Sequence, residues 1–160
     1  MIMSTTATFG QPGKSATTKK AFSRETAISI QIKADAAIVW SLLTNASDFP
    51  RWNSTVVSLE GDIAQGEKIR LKSTLDEKRT FKLKVKELVP EQKMVWGSGQ
   101  GNRVYTLQPA QDGGVIFTMS EKIGSPFFPM YAKYIPPFDE NFEQFANDLK
   151  KEAEAIAKSE

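Results

Sequence analysis

Arg103 and Glu121 are the charged residues whose placement along the chain could serve chemistry jointly. Between them, residues 110–114 read AQDGG, a composition that closes β-hairpins. If the hairpin closes symmetrically on Asp112, Leu107 faces Phe117, Tyr105 faces Met119 and Arg103 faces Glu121. All six then share one side of a sheet, because side chains alternate with a period of two. Such a pair has two uses. It is a cross-strand ion pair at the rim of the sheet, or it lies among apolar neighbours and orients the polar end of a ligand or exchanges protons. Tyr105 would join it in the second case.

Other chemistries are removed by composition. The 160 residues contain no cysteine and no histidine. Disulfides, thiolate catalysis, serine–histidine triads and most zinc sites fall together. The acidic residues show no metal-ligand spacing and no paired-carboxylate motif, so no metal, no cofactor and no catalytic residue is assigned. Lys and Arg number 21 against 19 Asp and Glu, a near balance that offers no field for nucleic acid. Lys82, Lys84 and Lys86 form a basic stripe without interleaved aromatic residues, which reads as a solvated sheet face. The glycines at 97–101 join two strands and make a turn, not a dinucleotide loop. Residues 10–15 look like the end of a phosphate loop, but the first glycine of that motif would fall at Thr8. No run approaches the roughly 18 apolar residues of a membrane span, so a cytoplasmic protein without an integral membrane segment is expected.

The elements that would carry these residues follow from periodicity. Across 138–159, Phe138, Phe142, Phe145, Ala146, Leu149, Ala153 and Ile156 recur at three- and four-residue spacing, which gathers them on one stripe of a long helix. Pro136 and Pro137 precede it, with Asp139 and Glu140 in its first turn, as the helix dipole favours. Residues 1–24 have little apolar content and are expected to be a flexible tail before one domain over 25–160. Ile28, Ile30 and Ile32 alternate in a first strand, and Asp35 opens a short helix over 36–44. A helical turn around Phe49 and Trp52 follows, then strands over 57–63, 68–74, around 81–85, 93–97, 103–108 and 115–123. Seven strands separated by short turns predict an antiparallel sheet, and the helices make the fold α+β. Residues 125–135 are too apolar for a solvated connection and predict a packed loop or short helix.

Segment 32–44 (IKADAAIVWSLLT), the following Phe49, Pro50, Arg51, Trp52 and Asn53, and the closing helix over 142–152 together resemble a known family. It is the polyketide cyclase/dehydrase and lipid-transport group of the START-like (SRPBCC) superfamily, and the resemblance covers about 27–158. It implies a helix-grip fold, a curved sheet wrapped around the long C-terminal helix, with a deep apolar cavity between them. On that implication the ligand-binding residues are Phe49, Trp52, Leu83, Arg103, Tyr105, Phe117, Met119, Glu121, Phe142 and Phe145, with Phe49 and Trp52 near the mouth. The implied function is binding or transport of a hydrophobic small molecule, lipid or polyketide-like. A cyclase or dehydratase using Tyr105, Arg103 and Glu121 is one alternative. A protein-interaction module like the chaperone-activator branch is another, for which a filled core would speak.

Overall fold

The computed structural model describes residues 12–99 and 101–160. Eight strands form one antiparallel sheet: β1 (Ala16–Lys19), β2 (Ser23–Ile32), β3 (Val56–Glu60), β4 (Lys68–Ser73), β5 (Asp76–Val89), β6 (Lys93–Gly97), β7 (Gly101–Pro109) and β8 (Val115–Gly124). Their order across the sheet is β1-β2-β8-β7-β6-β5-β4-β3. Strands β3 to β8 are a meander of short connections, and only β2 reaches its place beside β8 by a long excursion. That excursion holds α1 (Ala36–Leu43), a 3₁₀ turn at Ala46–Asp48 and α2 (Phe49–Trp52). Beyond the sheet come α3 (Phe128–Tyr131), a 3₁₀ turn at Ala132–Tyr134 and the long α4 (Asp139–Ser159).

The expected seven strands are therefore eight. The addition, β1, lies inside the stretch expected to be tail, and β2 begins at Ser23 instead of near Ile28. Apolar alternation could not reveal β1, because its ATTK sequence is held by polar contacts. Thr17 bonds to Thr26 across the ladder and donates to Asp139 of α4 at 2.9 Å. Ser15 donates to Glu143 through its backbone and to Asp139 through its hydroxyl. Residues 1–11, where the first part of the expected tail and part of the glycine motif fall, lie outside the described residues.

The apolar stripe of α4 lies on the sheet, with Phe142, Phe145, Ala146, Leu149 and Ala153 buried as its spacing predicts. Three ladder irregularities, at Val56/Ser58, Leu71/Ser73 and Val85/Glu87, sit between β3 and β6. Bulges bend strands and increase their twist, so this half of the sheet curves where it faces the start of the helix. The corner after α2 is pinned to α4 by polar contacts. Asn53 is fully buried; its amide nitrogen donates to the Phe145 carbonyl and its oxygen accepts from Thr55. Ser54 donates to Asp148 through both backbone and hydroxyl.

Candidate functional site

The hairpin of β7 and β8 has the register expected from its turn. Leu107 pairs with Phe117, Tyr105 with Met119 and Arg103 with Glu121. Gly113 and Gly114 take positive φ in the turn, and a Cβ on Gly114 would lie 2.1 Å from the Ile32 carbonyl oxygen, so only glycine fits there.

All six side chains face α4, but they do different things. Near the hairpin turn, Leu107, Phe117, Met119 and Tyr105 are buried in solid core. Phe117 stacks on Phe145 with centroids 6.3 Å apart, and Tyr105 lies 5.0 Å from Trp96 and 5.8 Å from Phe145. Farther from the turn the interior opens into a cavity of about 180 Å³. Its walls are Leu71, Phe81, Leu83, Trp96, Arg103, Glu121 and Ile123 from the sheet, closed by Tyr134, Ile135, Pro136 and Phe138 from the approach to α4. Ser73, Asp76 and Arg79 add polar groups.

Arg103 and Glu121 are an ion pair on this wall, Nε to Oε1 at 2.9 Å, with side chains only 11% and 17% exposed. They are not at a solvated rim. The Arg103 guanidinium also lies 5.0 Å from the Phe142 ring centroid. Burial works to lower the Arg103 pKa, but Glu121 and the Tyr105 oxygen together outweigh it and the net direction is upward, so the guanidinium stays charged. Its terminal nitrogens lie beside the Tyr105 hydroxyl and border the cavity. They are donors in a largely apolar chamber. Among the described residues, the indole N–H of Trp96, another wall residue, and the buried hydroxyl of Tyr105 behind it have no hydrogen-bond acceptor. Burial pushes the Tyr105 phenol up to about 12, against the opposing pull of Arg103.

Of the ten residues named from the sequence, Leu83, Arg103 and Glu121 line the cavity. Tyr105, Phe117, Met119, Phe142 and Phe145 lie in the core behind it. Phe49 and Trp52 were expected at its mouth and are placed otherwise. Phe49 is fully buried, 4.8 Å from Trp52 and 6.1 Å from both Trp96 and Phe145 by ring centroids. Their aromatic volume fills the interior at that end, and the opening lies toward β5 and residues 134–138 instead. The implied deep cavity is thus a smaller one at the start of α4. Sequence reasoning missed Trp96, Ile123 and Phe138 as wall residues. Ile123 had a usable signal, since it continues the face of Met119 and Glu121 along one strand.

The segment that closes the cavity is held by Arg24. This buried residue donates to the carbonyls of Ile135 and Pro136 at 3.2 and 2.8 Å, and its guanidinium sits 5.0 Å from the Phe138 ring centroid.

A helix gripped by a curved antiparallel sheet, with an internal cavity beside it, is the START-like architecture. Solved structures repeat it over nearly the whole chain. A protein from Rhodobacter sphaeroides superposes with a TM-score of 0.63 at 18% identity, over 89% of this chain and 99% of its own. A START superfamily protein from Mycobacterium smegmatis gives 0.61 at 13% identity, over 82% and 98%. A protein of unknown function from Staphylococcus aureus gives 0.64 at 13% identity, over 86% and 97%. Residues 23–154 match the profile of the polyketide cyclase / dehydrase and lipid transport family, and the chain belongs to that family. No curated protein matches it in sequence. No helix among the described residues is long and apolar enough to cross a membrane.

Proposed function

We propose that this protein binds a compact, largely apolar small molecule in the cavity at the start of α4, with the ligand's polar end against Arg103 and Glu121. The observation that carries this reading is a largely buried ion pair on an otherwise mostly apolar wall, with its guanidinium bordering the cavity. A ligand oxygen beside the Arg103 guanidinium would gain a charge-assisted hydrogen bond in a site with little competing water. Size limits the ligand. A cavity of about 150 Å³ admits benzene, so about 180 Å³ suits one or two rings or a short branched chain better than an extended lipid. Affinity would come from apolar surface leaving water, at roughly 25 cal/mol per Å² before ordering costs.

A proton-shuttling enzyme is less well supported, because burial moves Tyr105 up, away from the neutral range in which a general base operates. A pure interaction module is less well supported because the interior is not filled.

The test is native mass spectrometry of the purified chain, then denaturing extraction of any bound molecule. A discrete small-molecule adduct is expected, and it should be lost in Leu83→Trp, which places an indole in the cavity. Arg103→Ala should weaken oxygen-bearing ligands about tenfold or more while sparing hydrocarbon probes. Equal loss for both probe classes would remove Arg103 from head-group recognition. No adduct and no probe binding would sink the reading.

A further inference from the structure

Six large apolar side chains are well exposed among the described residues, and four of them are Phe22, Phe127, Met130 and Tyr134, at 59%, 67%, 73% and 75%. The two segments that carry them touch. The Ser125 backbone N–H donates to the Phe22 carbonyl at 3.2 Å, and Phe22, Lys122, Ser125 and Pro126 border one surface cleft. Phe127, Met130 and Tyr134 recur at helical spacing around α3 and the turn after it, while Phe128, between them, points inward and packs on Tyr131 with centroids 5.6 Å apart. The turn is therefore apolar on both faces. A helical segment apolar all round is normally covered, and the outer face of this one is not.

The charge on the two segments is positive, and the acid beside them is Glu25, opposite Lys122 in the β2–β8 ladder. Residues 12–24 and 122–138 contain no Asp or Glu. Lys20, Lys122 and Lys133 are exposed, and none is in an ion pair among the described residues. The nearest acid after the second segment, Asp139, is occupied by Ser15 and Thr17. Tyr134 belongs both to this patch and to the cavity wall.

We propose that this patch is a docking surface for an anionic lipid bilayer. Phe127, Met130 and Tyr134 enter the boundary between head groups and acyl chains, and Lys20, Lys122 and Lys133 meet the anionic head groups. Lysine is depleted in protein–protein interfaces, whereas lysine beside exposed aromatic residues is the composition of interfacial membrane segments. Docking by this face would set the closing segment of the cavity against the lipid phase, a route for an apolar molecule that avoids water.

The test is co-sedimentation of the full chain with vesicles of phosphatidylcholine alone or with about 30% phosphatidylserine. Partition onto the mixed vesicles should exceed that onto phosphatidylcholine by about tenfold and weaken as salt screens the lysines. Phe127→Ser with Met130→Ser should lower it about tenfold without shifting thermal unfolding, since both side chains are exposed. Lys20→Glu with Lys133→Glu should abolish the preference for anionic vesicles. Leu83→Trp should still bind vesicles, which separates this surface from the ligand reading of the cavity. The proposal is overturned by no partition of the unaltered chain, or by partition that ignores the Phe127 and Met130 substitutions. It is equally overturned if those substitutions abolish self-association and leave vesicle binding unchanged, because the patch then joins protein to protein.

Discussion

Tyr105 is a fully buried phenol beside the Arg103 guanidinium, and its hydroxyl has no acceptor among the described residues. Burial pushes this phenol up to about 12, because the charged phenolate would be poorly solvated there. Because the folded chain holds this proton more tightly than the unfolded chain, the associated stability is fully present below pH 10.0 and is lost as pH rises through about 12. Urea unfolding at about pH 9 and about pH 11 should show the unaltered protein losing on the order of 1 kcal/mol more than Tyr105→Phe over that interval. Near neutrality Tyr105→Phe should cost little, since no protein hydrogen bond is removed. Parallel pH profiles for the two proteins would mean that the hydroxyl is not held in its protonated form by the fold. That Tyr105 faces Met119 was readable from the hairpin, because a two-residue period and one turn set the whole register. That it lies behind the cavity wall was not, because Trp96 comes between them from another strand.

At the scale of elements, residues 125–138 depend on contacts from elsewhere in the chain. Arg24 supplies the main one, holding two consecutive carbonyls and the Phe138 ring. Arg24→Ala leaves those carbonyls without their charged donor, a loss of about 1–3 kcal/mol. Amide exchange over 127–135 should accelerate by about tenfold or more, with the paired strands β2 and β8 keeping their protection. Equal acceleration along all of α4 would mean that Arg24 supports the whole fold and not the closing segment. The apolar content of 125–135 announced a packed piece, and the structure packs only part of it: a short helix, α3, forms there and buries Phe128, but Phe127, Met130 and Tyr134 are exposed. β1 was silent, because an edge strand with one neighbour is under little pressure to alternate and this one is held by threonine and serine hydroxyls. The long α4 was the most legible element. Its stripe must be buried whatever covers it, so its spacing carries the information by itself.

Across the molecule the interior has two unlike halves, aromatic and closed near α2, open near the start of α4. Truncation should feel the difference. Phe145→Ala, in the closed half among Phe49, Trp52, Tyr105 and Phe117, should cost about 3–5 kcal/mol in urea unfolding. Leu83→Ala only enlarges an existing space and should cost about 1 kcal/mol. Similar costs would mean that the cavity is filled by side-chain movement in solution. The amino-acid sequence alone determined the order of the principal elements, the hairpin register and the face each strand presents, because these follow from local periodicity and turn chemistry. Only the tertiary structure decided which inward-facing residues pack against one another and which border open space. That depends on how far the sheet stands from the helix, which is set by bulges in β3 to β6 and by the clamp of Arg24 on residues 135 and 136, more than a hundred residues away in the chain.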